Sequence, residues 1–255
     1  MSGGARKGER FLSRAVQIAF LLGLILLWYF ATTRWGVSHL LLPNPVVVYH
    51  ELTNVLGSGE FAPDLMVTLS ELAVAFGISS VSGIMFGYLI SRSQYLIRVF
   101  EPLLASIYSI PIILFLPLYI LFFGLGPLSK IALGTTISFF PIVLNTIAGF
   151  GYVDAIFIVA ARSMGASDLQ MFRYVLLPAA LPVILTGLRV GFTVALLSIL
   201  GSETIASLAG LGHKIVHLAE AMETAHMFAY IAFAVAIAAF LNTVVTTLEN
   251  WAKRP

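Results

Sequence analysis

Val159-Ala160-Ala161-Arg162-Ser163-Met164-Gly165-Ala166-Ser167-Asp168-Leu169, followed by Val175-Leu176-Leu177-Pro178, is a polar-marked stretch in an apolar chain, and its placement decides the fold around it. The segment from Ala155 to Leu176 carries Arg162, Asp168, Gln170 and Arg173 between two long apolar runs, so it belongs outside a bilayer. Apolar Ile158, Ala161, Met164, Leu169, Phe172, Val175 and Leu176 recur at helical spacing, interrupted by the nearly side-chain-free Gly165-Ala166-Ser167. This pattern predicts two short helices joined at a glycine turn. Small residues at such a turn let the backbone or groove of another protein approach closely, and the flanking charges can set its register. Pro178 then starts the next helix, as a first-turn proline can.

Outward from that segment the chain is membrane-like. With 59% hydrophobic and 10% charged residues, a mean hydropathy of +0.98 and several apolar runs near twenty residues, it is expected to be an all-α polytopic membrane protein. A transmembrane barrel would alternate over short strands, whereas these runs are continuous. Zero cysteines exclude disulfides and thiolate metal sites, and a net charge of +2 is too small to suggest a nucleic-acid partner.

Six spans are expected at 14–33, 66–90, 100–124, 128–150, 178–202 and 225–248. They form one domain, 14–250, between a tail at 1–13, flexible over Met1 to Glu9, and a short tail at 251–255. The first run follows Arg6, Lys7, Arg10 and Arg14, but it is too long for a signal peptide and reads as an uncleaved span. Six spans put both termini on one side. A cytoplasmic assignment places Arg6, Lys7, Arg10, Arg14, Arg92, Arg98, Arg162, Arg173, Lys253 and Arg254 inside, against Arg34, Lys130 and Lys214 outside. It also puts the Gly165 loop, about 151–177, in the cytoplasm.

Between the first two spans, Asn44 can cap an interfacial helix begun by Pro45. Gly83-x-x-x-Gly87 suits close packing, either inside the bundle or at a dimer seam. Ser109-Ile110-Pro111 and Pro117 suit a kinked or broken helix lining a path. Arg189 and Glu203 are charges in or near a span, which need a partner or a cavity. Arg189 can snorkel, pair internally or meet an anion; Glu203, beside Ser202, reads as a gate or structural bond. Asn145 and Ser198 are open to helix–helix hydrogen bonds or to lining a pathway. His213 and His217, with Glu220 and Glu223, have metal-ligand spacing, yet Lys214 stands where a zinc-protease helix needs Glu, and a polar external helix is the better reading. No catalytic or metal residue is assigned. No Gly-x-x-x-x-Gly-Lys-Ser/Thr occurs, so this chain carries no phosphate-cradling loop of that kind.

The opening stretch resembles the EAA loop of permease subunits of ATP-binding-cassette importers: Glu-Ala-Ala, three residues, Gly, nine residues, Ile, any residue, Leu-Pro. Spacing matches throughout, with Val159 in place of the Glu and Val175 in place of the Ile. Leu42-Pro43-Asn44-Pro45, Ser109-Ile110-Pro111, Phe122-Phe123-Gly124-Leu125-Gly126, Phe139-Phe140-Pro141-Ile142 and Gly201-Ser202-Glu203-Thr204-Ile205 with Gly210-Leu211-Gly212 resemble the nitrate, taurine and aliphatic-sulfonate permeases. The resemblance implies a type I importer permease fold in a bacterial inner membrane. It also implies ATPase coupling through Ala160, Ala161, Gly165, Ala166, Ser167, Asp168, Leu169 and Pro178. A gate or translocation path would draw on Ser109, Pro111, Asn145, Arg189, Ser198, Ser202 and Glu203. Implied partners are two copies of an ATP-binding subunit holding ATP and Mg, a second permease copy, and a periplasmic or lipid-anchored substrate-binding protein that delivers a small anion. The competing readings are an ion-gradient-driven secondary transporter, which would want several ionisable residues near the midplane, and an intramembrane serine hydrolase. The histidines His39, His50, His213, His217 and His226 lie outside the spans or at their outer edge, against the hydrolase.

Overall fold

The computed structural model describes residues 3–38 and 40–253, without the side chains of residues 3–14 and 18. His39, Arg254 and the outermost residues of both tails lie outside the described residues, as do the side chains of Arg6, Lys7, Arg10 and Arg14. Among the described residues every regular element is helical: α1 (Gly3–Thr33), α2 (Pro45–Ser58), α3 (Ala62–Ser91), α4 (Gln94–Tyr108), a 3-10 turn (Ile112–Phe115), α5 (Leu116–Phe123), α6 (Pro127–Gly151), α7 (Ala155–Ser163), α8 (Asp168–Met171), a π turn (Phe172–Leu176), α9 (Leu177–Ile205), α10 (Leu211–Glu220) and α11 (Thr224–Ala252). By length and composition five helical runs can cross a membrane, and six can if the bent pair Gln94–Tyr108 and Ile112–Phe123 counts as one span.

Three boundaries refine the sequence expectation, the first of them the break already expected at Ser109-Ile110-Pro111. The span at 100–124 is broken by a 71° bend at Ser109-Ile110-Pro111. Pro111 has no N–H to continue α4, while Pro117 sits in the first turn of α5, where the missing donor costs nothing. At Pro178 the chain does not start afresh after a loop, because the helix runs unbroken from Asp168 to Ile205. A proline there cannot serve the carbonyl one turn back, and the wider π turn just before it carries the helix through. Thirdly, α1 begins at Gly3, so most of the expected tail is helical, in keeping with Ala5, Arg6, Lys7, Glu9 and Arg10 as good helix formers.

The chain divides into two compact units. One comprises the residues up to Phe61 with Lys214–Phe233. Here Asn44 caps α2, its side chain accepting from Val46 N at 2.9 Å with Pro45 in the first turn, and Trp28 Nε1 donates to Pro43 O at 2.9 Å to tie α1 to that cap. His226 Nε2 lies 2.7 Å from Glu60 Oε1 and its ring stacks on Tyr230.

The other unit, Ala62–His213 with Ala234–Pro255, is organised on α6, where Leu133, Ile142, Val143 and Ile147 have no exposure at all. Glycines at i, i+4 on both neighbours let α6 approach: Gly83 and Gly87 of α3 abut Ile142 and Thr146, and Gly187 and Gly191 of α9 abut Asn145 and Ile142. A Cβ at Gly87 would come within 2.5 Å of Thr146 Cβ, and one at Gly187 within 2.5 Å of Asn145 Cβ. The Gly83…Gly87 pair therefore packs inside the chain, whereas a Cβ at Gly77 meets nothing within 4 Å. Apolar clusters fill in around these contacts, with Leu72, Ala75, Phe192, Ala195, Leu196 and Ile199 toward one end and Phe150, Ala180 and Ile184 toward the other.

Gly87→Leu should overpack the α3–α6 contact and destabilise the protein by about 1–3 kcal/mol or more. Gly77→Ala should leave thermal stability unchanged or slightly higher. Melting both purified variants in one detergent checks this, and equal losses would refute the packing assignment.

Candidate functional site

Two local motifs build the Ala155–Leu176 segment. Asp154 caps α7, accepting from Ile156 N at 2.9 Å. The helix is closed by a Schellman pair, Gly165 N donating to Arg162 O at 2.9 Å and Ala166 N to Ala161 O at 3.1 Å, with Gly165 in the left-handed region at φ +76°. Ser167 then opens α8 with a capping box: its N–H donates to Gln170 Oε1 at 2.9 Å and its hydroxyl accepts from Gln170 N at 3.4 Å. The turn is thus specified residue by residue. Ala160, Ala161, Gly165, Ala166, Ser167, Asp168 and Leu169 all fall on this hairpin, and Pro178 stands further along the same rod, in the first turn of α9. The hairpin presents apolar side chains outward: Met164 is 87% exposed and Leu169 74%. Both lie on a segment that also carries Arg162, Asp168 and Arg173. Just behind it the Tyr152 hydroxyl donates to Glu101 Oε2 at 2.9 Å, and that carboxylate raises its pKa above the usual tyrosine value.

At the opposite end of this unit lies a buried polar cluster. Backbone N–H groups at the start of a helix have no partners within it. At the start of α10 three consecutive N–H groups, that of the preceding Gly210 and the first two of the helix, are met by side chains of other helices: Gly210 N donates to Asp64 Oδ1 at 3.1 Å, Leu211 N to Thr68 Oγ1 at 3.0 Å and Gly212 N to Glu203 Oε2 at 2.8 Å. Thr68 Oγ1 donates in turn to Glu203 Oε1 at 2.7 Å. Glu203, 1% exposed, is therefore a cap supplied from α9, and a carboxylate suits the positive end of a helix. The glycines follow from this contact. A Cβ on Gly210 would lie 2.4 Å from Glu203 Oε1 and one on Gly212 2.6 Å from Leu200 O.

Glu71 and Lys130, each 1% exposed, complete the cluster. Lys130, expected in external water, is buried, its ammonium donating to the carbonyls of Leu125 and Gly126. Glu71 lies within electrostatic reach of both Glu203 and Lys130, and its Oε2 has no hydrogen-bond partner. The Lys130 cation, within electrostatic reach of both carboxylates, offsets part of the cost of burying them.

At the end that carries α7, Arg189 Nε lies 2.6 Å from Glu249 Oε2, an ion pair without hydrogen-bond alignment. Glu249 also accepts from Lys253 Nζ at 2.6 Å and from Thr186 Oγ1 at 3.0 Å. Because Glu249 is in the last turn of α11, Arg189 sits near the bundle end, in an internal pair.

The other expected path residues that donate do so locally. Ser109 Oγ donates to Ala105 O and Pro111 is exposed at the bend. Asn145 donates to Pro141 O at 2.7 Å, Ser198 to Val194 O at 2.7 Å and Ser202 to Ile199 O at 2.9 Å, each back onto its own helix. Sequence reasoning missed Asp64, Thr68, Glu71, Lys130 and Glu249. A signal was present for three of them, since 64, 68 and 71 fall at i, i+4, i+7 on one helix face.

Membrane-length helices packed on α6, a projecting helical hairpin and buried charge confined to the two ends define a polytopic helical membrane protein. The chain belongs to the inner membrane components of binding-protein-dependent transport systems, whose pattern matches residues 79–254. It is 33% identical to the taurine transport system permease protein TauC of Escherichia coli strain K12, over 90% of this chain and 86% of that one. To the putative aliphatic sulfonates transport permease protein SsuC of Bacillus subtilis strain 168 it is 30% identical, over 89% and 82%. A chain of the MetNI methionine ABC transporter, solved facing inward, shares the fold with a TM-score of 0.62 at 21% identity, over 74% of this chain and 94% of that one. The protein is thus an ABC importer permease of the taurine and aliphatic-sulfonate type, a transport subunit and not an enzyme. Family membership implies an ATP-binding subunit and a substrate-binding protein as its partners.

Glu203→Ala leaves Gly212 N without an acceptor and should cost about 1–3 kcal/mol. Glu203→Gln keeps one of the two bonds and should cost less, as thermal denaturation of the two variants would read. An alanine variant as stable as wild type would sink the cap.

Proposed function

We propose that the chain forms, with a second copy of itself, the pathway of an importer for a small anion such as nitrate, a sulfonate or taurine. Two copies of an ATP-binding subunit carry ATP and Mg and grip the Gly165 hairpins. A periplasmic or lipid-anchored binding protein delivers the substrate to the end bearing Glu203. Both termini are cytoplasmic. The observation that carries this reading is the hairpin itself, with Gly165 open on its Cβ side and apolar Met164 and Leu169 beside it. A groove that closed on it would bury these side chains at about 25 cal/mol per Å².

Coupling follows from continuity. The helix that starts at Asp168 runs to Ile205, so a displacement of α8 is passed along α9 to Glu203 and the cap of α10. ATP-driven closure of the ATPases would rock this rod in a rigid-body alternation of access.

Asp is among the few L residues that tolerate the left-handed region, so Gly165→Asp tests contact more than folding. The variant should insert and remain stable but lose the co-purifying ATPase subunit, or lose uptake while keeping basal ATP hydrolysis. Wild-type ATPase retention together with wild-type uptake would end the docking assignment. Stimulation of the intact complex by taurine, an alkanesulfonate or nitrate, each with the binding protein, separates the substrate candidates.

A further inference from the structure

Where the hairpin meets α3 and α6 lies a cleft of ≈ 590 Å³. Its floor is aromatic: Tyr88 of α3, Phe150 of α6 and Phe172 of the π turn are in mutual ring contact at centroid distances of 5.1, 5.3 and 6.1 Å. Arg92, from the α3–α4 turn, and Arg162, from the last turn of α7, line the same cleft, with Asp168 as its acidic member. Among the described residues neither arginine has a carboxylate within 4.0 Å.

We propose that this cleft binds the headgroup of an anionic phospholipid, with Arg92 and Arg162 on the phosphate and the aromatic floor against the glycerol and first acyl carbons. Guanidinium groups match phosphate geometry, and basic pockets between membrane helices take up such headgroups. Position supports the lipid as occupant. The 30 residues of α3 and 25 of α6 span roughly 45 and 37 Å, beyond a hydrocarbon core of about 30 Å. Their ends at Ser91 and Gly151, which border the cleft, therefore lie in the headgroup layer. An aromatic floor under paired cations suits an amphiphile better than a free anion or the acidic side chain of a protein. A bound lipid would tie the α3–α4 turn to α7, so it would stiffen the mount of the hairpin. The inference rests on the cleft alone and holds whether or not the hairpin docks an ATPase.

The test is native mass spectrometry of the purified complex with phosphatidylglycerol or phosphatidylcholine added, comparing wild type with Arg92→Gln/Arg162→Gln. Wild type should retain phosphatidylglycerol selectively, and the double variant should lose about tenfold in that retention, down to the phosphatidylcholine level. Arg92→Lys/Arg162→Lys should fall between them. Equal phosphatidylglycerol retention by wild type and the glutamine variant overturns the proposal, as does displacement of the lipid by millimolar inorganic phosphate, which would make the site one for a free anion. The chain has no cysteine, so Gln94→Cys offers a single label at the cleft. Maleimide protection conferred by the ATPase subunit but not by phosphatidylglycerol would give the cleft to the protein partner and overturn the lipid.

Discussion

Inside a bilayer no water is present to satisfy a stray backbone N–H or carbonyl, and this one constraint orders most of what the chain does. Where the helices are unbroken it is met without effort. Three interruptions have to be answered individually. At Pro111 the chain bends and restarts through a 3-10 turn. Before Pro178 a π turn keeps the helix going. At Gly210–Gly212 the unmet donors are handed to Asp64, Thr68 and Glu203, from two other helices. The third answer brings Glu203 into the protein interior, where the Lys130 ammonium lies within its electrostatic reach.

The second answer has a mechanical side. Had Pro178 begun a separate helix after a flexible loop, motion of the hairpin would be absorbed in that loop. With the π turn in place, the segment from Asp168 to Ile205 is one rod of 38 residues. Its ends are the capping box at Ser167 and the cap at Glu203, and along its length Gly187 and Gly191 hold it against α6. The run is thus continuous helix from one cap to the other, with the π turn at Phe172–Leu176 inside it.

The sequence made the membrane class, the hairpin with its glycine turn and the Asn44 cap legible, because each is written in local spacing: a run of apolar residues, a small-residue stop, a polar residue before Pro45. The polar end clusters were far less legible. Glu203 stood out as a charge near a span, but its partners lie 135 residues away at Thr68 and nine away at Gly212, a pairing that only the tertiary approach of α3 to α9 creates. Lys130 looked external because a single Lys beside Gly126-Pro127 is as consistent with a loop as with a buried first turn. The π turn was invisible for a different reason. Pro178 is equally compatible with a fresh start and with a carried-through helix, and no local spacing distinguishes the two.

The distribution of charge along α3, α6, α9 and α11 bears on how transport is powered. Between Glu71 and Ser91, between Lys130 and Gly151, between Arg189 and Glu203, and from Ala229 to Leu248, the sequence has no Asp, Glu, Lys, Arg or His. A carrier driven by a proton gradient needs an ionisable group within the span to take up the proton. Here the middle of these four helices offers only hydroxyls, amides and glycines, and the charges gather at the two ends, where Glu203 holds the start of α10 and Glu249 holds Arg189. That pattern accords with a family whose members work with a separate ATP-binding subunit.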